Sequence, residues 1–170
     1  MSTAFQPASL FDFKGKTAVV TGGGRGIGQG VAIALAQGGA QVAVFDRDAA
    51  AAQATCEHIQ AQGGVAWPYA VDVTQEQQVD EAMQSVHARN QAIDILINNA
   101  GIAIRQPTLA LSVADWNKVL EVNLTGVFIC ARAAARYMVP RQSGCIVNTA
   151  SIMGLSGGGL YPNISYQSTK

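Results

Sequence analysis

Tyr166 and Lys170 stand four residues apart in the stretch "YQSTK". On a helix, residues i and i+4 share a face, so this phenol and ammonium would project toward one point. Such a pair can exchange a proton. A free phenol ionises near pH ~10, and a neighbouring ammonium favours phenolate and brings it toward the working range. A solvated pair on a surface helix has the same spacing, so the rest of the chain must decide between the two.

A second group is "TGGGRGIG" at residues 21–28, with glycines at 22, 26 and 28 spaced G-x-x-x-G-x-G. It follows a β-branched run and opens a helical pattern. Backbone without Cβ atoms lets a pyrophosphate approach closely, and a helix N-terminus offers it free N–H groups. A glycine turn with no ligand is the alternative, and the strand-loop-helix context favours the phosphate loop. Asp46 ends the next β-rich run, about 20 residues beyond the loop, where a carboxylate can accept both hydroxyls of a ribose. An aspartate there can also cap the following helix, and the two roles are compatible.

These groups need elements to position them. Five runs, "KTAVVTG", "AQVAVFD", "VAWPYAVDV", "AIDILINNAG" and "GCIVNTAS", alternate with helical patterns. Their continuous apolar character predicts parallel strands buried on both faces. Ile27, Val31 and Leu35 form one apolar stripe, and Gly38-Gly39 ends that helix. Thr74 and Gln77 have the capping-box spacing for a later helix. A long helical stretch runs from Ser112 to Met138 and stops before Pro140. Its middle, "EVNLTGVF", holds the poor helix formers Asn123, Thr125 and Gly126 and predicts a kink or irregular turn. "CARAAARYM" sets Ala131, Ala134 and Ala135 along a small-residue surface suited to close helix approach. Strand-helix alternation with short connections predicts an α/β fold, a doubly wound parallel sheet of Rossmann type with five strands, as one domain over 1–170.

Composition excludes some classes. The 170 residues are 49% hydrophobic and only 13% charged, with 11 basic and 11 acidic side chains. With no basic run there is no electrostatic footprint for nucleic acid or an anionic membrane. No apolar run is long enough to span a bilayer, and the N-terminal residues lack the pattern of a signal peptide. The scattered Cys56, Cys130 and Cys145 read as reduced, buried small hydrophobes of a cytoplasmic protein. His58 and His87 read as solvated helix residues, and no metal site is expected.

In order along the chain stand "TGGGRGIG", Asp46, "DV" at 72–73, "NNAG" at 98–101, Asn123, Ser151 and "YQSTK". Together, over nearly the whole chain, they resemble the single-domain branch of the short-chain dehydrogenases/reductases. The resemblance implies that Tyr166 is the acid/base and that Lys170 holds the nicotinamide ribose and lowers the tyrosine pKa. Ser151 would hydrogen-bond the reacting oxygen of the substrate, and Asn123 would position a water of the proton relay. Gly22, Arg25, Gly26, Ile27 and Gly28 would line the phosphates, with Asp46 at the adenosine ribose and Arg47 beside it. Asp72 and Val73 would border the adenine, and Asn99, Ala100 and Gly101 would flank the coenzyme, which Tyr166 and Lys170 also touch.

The implied activity is hydride transfer between NAD(P) and a secondary alcohol or ketone, such as a polyol or sugar. NAD is expected over NADP, because Asp46 would repel a 2′-phosphate; Arg25 and Arg47 weigh the other way. The alternatives are a non-catalytic dinucleotide-binding module and a 3-oxoacyl-carrier reductase using NADPH. Retention of Ser151, Tyr166 and Lys170 together favours an enzyme. The helix near 124–138 and the Tyr/Lys helix form the subunit interface in similar proteins, so a homodimer or homotetramer is expected. The segment between Ser151 and Tyr166 is longer than in many members, and its glycines and Tyr161 would shape substrate access. Members also continue past the lysine. The expectation is therefore the N-terminal portion of a longer enzyme, lacking C-terminal strands and helices, with an open fifth strand and no activity as 170 residues alone.

Overall fold

A computed structural model describes residues 11–155 and 162–170. The glycines at 157–159 and Tyr161 lie outside the described residues. Five strands, β1 (Thr17–Thr21), β2 (Gln41–Asp46), β3 (Val65–Ala70), β4 (Ile95–Asn98) and β5 (Cys145–Asn148), form one sheet in the order β3-β2-β1-β4-β5. All four pairings are parallel. The intervening helices are α1 (Gly26–Gln37), α2 (Ala49–Ala61), α3 (Glu76–Asn90), α4 (Val113–Leu120) and α5 (Gly126–Met138), and the short α6 (Ile164–Ser168) carries Tyr166.

Both faces of the sheet are covered, which is why β1 and β2 read as unbroken apolar runs. One core packs Val19, Phe45 and Leu96 against Met83 of α3 and Cys130 and Ala134 of α5. The other packs Val20, Val42 and Val44 against Ala32 and Leu35 of α1 and Ile59 of α2. Burial on both faces fails at the sheet's margins. β3 alternates in exposure, and every residue of β5 is exposed. An edge strand has a partner on one side only, and Pro68 on β3 suits that position.

Three local expectations change. Thr74 does not cap α3: its N–H and hydroxyl both donate to Asp72 Oδ1, at 2.9 and 2.8 Å, and Gln75 takes the N-cap position. Of the three alanines expected on one α5 surface, Ala134 is buried in the core, whereas Ala131 and Ala135 are half-buried. Cys145 is exposed, unlike Cys56 and Cys130, because it lies on the edge strand. The irregular turn does occur. Residues Glu121–Thr125 form a π-helical turn between α4 and α5.

Asp94 fastens the amino ends of the strands, opposite the site described below. Its carboxylate accepts from Thr17 N at 3.0 Å and from Arg141 Nη2 at 2.9 Å, with Lys16 Nζ 3.7 Å away. Burial alone would raise the carboxyl's pKa. The Thr17 N–H, Arg141 and Lys16 outweigh it and hold the group below 3.8. The resulting stabilisation is complete above that value and is lost as pH falls through the lower, folded pKa. Asp94→Asn is therefore expected to cost about 2 kcal/mol in urea unfolding at pH 7. The gap between variant and wild type should narrow near pH 3; an equal gap at both pH values would contradict this role.

Candidate active site

β1 is flanked by β2 on one side and β4 on the other, so consecutive connections diverge at its carboxyl end. Ligands of open α/β sheets bind in the crevice at such a point. Here a cleft of ≈ 430 Å³ is lined by Gly22, Arg25, Ile27, Asp46, Arg47, Asp72, Val73, Asn99, Ala100 and Gly101, together with Val71, Ile102 and Val122. Of the expected coenzyme residues other than Tyr166 and Lys170, Gly26 and Gly28 do not line it. Ile27 belongs to the cleft rather than to an apolar stripe, being 72% exposed while Leu35 is buried.

The loop between β1 and α1 is shaped by close approaches. Gly22 has φ +62°, and a Cβ there would lie 2.9 Å from Ala100 Cα. A Cβ on Gly28 would strike the Gly22 carbonyl oxygen. Gly26, at φ +56°, has nothing within 4 Å of its Cβ position. Arg25, the N-cap of α1, is extended and makes no side-chain cap, so the first N–H groups of the helix remain available to an anion.

The opposite wall is tied to this loop. Thr21 Oγ1 accepts from Asn99 N at 3.0 Å and Ala100 N at 3.1 Å, and Asn99 Nδ2 donates to the carbonyls of Thr21 and Gly22. Thr21 and the Asn99 amide thus hold the two walls together. Asp46, 8% exposed, is held from below: Oδ2 accepts from Gly24 N at 2.9 Å and Oδ1 from Asp48 N at 3.0 Å. The cap of α2 is Asp48, not Asp46. A cradle kept open by the absent Cβ atoms of Gly22 and Gly28, an open helix N-terminus and an oriented carboxylate together fit a dinucleotide.

The expected catalytic residues Asn123, Ser151, Tyr166 and Lys170 do not line this cleft; Asn123 ties the Tyr166–Lys170 turn to its Ile102 wall. Ser151 follows β5 and caps the 3-10 turn Ile152–Gly154, its Oγ accepting from Met153 N at 3.2 Å. Lys170 Nζ donates to Thr149 O at 2.7 Å and lies 5.6 Å from the centroid of the Tyr166 ring. Burial lowers the Lys170 pKa below its ordinary 10.5. A Cβ on Gly154 would strike the Lys170 main chain, so this glycine lets the Ser151 turn meet the Tyr/Lys turn.

Asn123 connects the cleft wall to that turn. The π turn presents its buried side chain to the loop after β4, where Oδ1 accepts from Ile102 N at 2.8 Å and Nδ2 donates to Ile102 O at 2.9 Å. The same amide donates to Thr169 Oγ1 at 3.1 Å, and that hydroxyl donates to Tyr166 O at 2.8 Å. Both amide hydrogens of Asn123 are thus engaged, and Thr169 links it to the Tyr166–Lys170 turn. Neither Thr169 nor Asp48 stood out in the sequence, although a threonine beside Lys170 and an aspartate before a helix were visible there.

Comparisons with known proteins find similar sequences and folds. The profile of the family described as short chain dehydrogenase matches residues 16–170. A 3-oxoacyl-[acyl-carrier-protein] reductase of Synechocystis is 38% identical over 84% of this chain and 58% of its own length. A D-threitol dehydrogenase of Mycolicibacterium smegmatis is 39% identical over 89% of this chain and 59% of its own. Among solved structures, an NAD+-bound xylitol dehydrogenase superposes with a TM-score of 0.89 at 34% identity, covering 93% of this chain and 60% of that one. The chain thus spans about three fifths of the length of these proteins.

Proposed function

This chain belongs to the short chain dehydrogenase family, and on that premise we propose that it serves an oxidoreductase acting on a secondary alcohol or its ketone, with NAD as coenzyme. The observation that supports the reading is a glycine cradle with Asp46 in one cleft, whose Ile102 wall is tied through Asn123 and Thr169 to the turn that carries Tyr166 and Lys170. A polyol or sugar derivative is the preferred substrate class, as in the similar D-threitol and gluconate dehydrogenases.

When bound, the coenzyme supplies the hydride acceptor or donor. Gly22, Arg25, Ile27 and the N–H groups of α1 would hold its phosphates, Asp46 its adenosine ribose, and Asn99 to Gly101 its nicotinamide half. Tyr166 takes the proton from the alcohol oxygen during oxidation and returns it during reduction. Ser151, which keeps its hydroxyl proton to give, donates to the same oxygen as charge develops there. Lys170 holds a positive charge against the phenol ring. Asn123 is a positioning residue, fastening the Tyr166–Lys170 turn to the loop after β4.

The test is turnover of NAD and NADP by the native protein with a panel of secondary alcohols, polyols and sugar acids. Coenzyme binding without turnover on any of them would favour a non-catalytic module, and reduction of 3-oxoacyl thioesters with NADPH would favour the acyl-carrier reading. Asp46→Ala is expected to weaken NAD binding about tenfold and relax the preference toward NADP, since it removes both a ribose acceptor and a like charge. Coenzyme titrations check this, and an unchanged NAD/NADP ratio would contradict the role given to Asp46.

A further inference from the structure

Arg25 is the cation of the phosphate loop and lines the cleft, but its guanidinium is turned aside. Its Nη2 donates to Asp48 Oδ2 at 3.0 Å. Asp48 does not line the cleft; it is the N-cap of α2, two residues beyond Asp46. The same residue makes two other bonds. Its Oδ1 accepts from Ala51 N at 3.1 Å, which caps the helix, and its N–H donates to Asp46 Oδ1 at 3.0 Å. One aspartate outside the cleft therefore orients the carboxylate that would meet the ribose and occupies one of the two arginines of the cleft.

We propose that Asp48 is a specificity-determining residue, a tether that withholds Arg25 from a 2′-phosphate and so reinforces discrimination against NADP. This rests on the dinucleotide reading above and extends it to a residue that would touch no coenzyme. The charges around this corner are Asp46, Asp48 and Asp72 against Arg25 and Arg47. Among the described residues Arg47 has no ion pair, so Arg25 is the cation whose availability is conditional. A pair this exposed is weak and competes with solvent. A dianionic phosphate close to Arg25 would therefore recruit it readily once the carboxylate is removed, whereas NAD presents only a hydroxyl there.

Asparagine caps a helix as well as aspartate does, so Asp48→Asn removes the charge and keeps the start of α2. Asp48→Ser serves as a second cap-preserving variant. Dissociation constants for NADH and NADPH, read from nicotinamide fluorescence on the native protein, make the test. Both variants are expected to tighten NADPH about fivefold and to move NADH less than twofold. In an Arg25→Ala background the same changes should move NADPH less than twofold.

An equal effect on the two coenzymes, or none on either, would overturn the proposal. So would a gain that persists in full without Arg25, because that would be through-space charge and not a released tether. Wild-type protein that binds neither coenzyme would overturn the dinucleotide reading together with this one. Wild-type protein that binds NADH but whose NADPH affinity ignores position 48 would overturn the tether alone.

Discussion

On the proposed function, Tyr166→Phe in the native protein is expected to lower kcat about a thousandfold, within the range that a positioned acid/base group contributes. The substitution removes one hydroxyl and keeps the ring, so the packing of Lys170 Nζ at 5.6 Å from the ring centroid survives. Lys170 also keeps its bond to Thr149 O, so the turn should hold its shape. Coenzyme affinity should therefore change far less than kcat. The two are separated by measuring single-turnover rates alongside NADH titrations. A variant retaining more than a tenth of wild-type turnover would mean that the proton travels by another route.

The second large effect is expected at Gly28, where the reason is space. A Cβ at this buried position would meet the Gly22 carbonyl oxygen and would sit 2.5 Å from Asn99 Nδ2. One of these is backbone and the other already donates to Thr21 and Gly22, so neither can yield without moving a wall of the cleft. Gly28→Ala should cost about 2 kcal/mol of stability as an overpacked contact. A displaced cradle should also lower kcat/KM for the coenzyme about a hundredfold, as misplacement by an ångström does. Gly30→Ala is the control. It lies on the same helix with nothing within 4 Å of its Cβ position, and alanine there should be neutral or slightly stabilising. Thermal unfolding and coenzyme titration of the two variants give the comparison, and similar losses at both positions would refute the steric explanation.

Local pattern revealed those parts of the site that local chemistry builds. The glycines of the phosphate loop and Asp46 at the end of β2 are legible because a loop between strand and helix has few ways to bind an anion. The weak helix formers around Asn123 announced the irregular turn for a similar reason. What stayed hidden depends on residues far apart in the chain. Asp48 meets Arg25 across 23 positions and Thr169 meets Asn123 across 46, and no spacing rule encodes either contact. Apolar runs also look alike at the centre and at the margin of a sheet. That is why the exposure of Cys145 had to be seen in three dimensions, although an open fifth strand was expected. Thr74 shows the competition in miniature, for a capping threonine was claimed by the closer carboxylate of Asp72.

The π turn at Glu121–Thr125 has a consequence for helical phase. Each residue of a regular α-helix advances the side-chain direction by about 100°, so the faces of a long rod are locked together from end to end. A wider turn inserts a step and lets the segments on either side be indexed independently. Here α4 turns Val119 inward, α5 turns Ile129, Ala133 and Ala134 inward, and between them Asn123 still reaches Ile102 and Thr169. The extra turn works as a phase shifter, reconciling two hydrophobic registers with one polar contact that neither could provide alone.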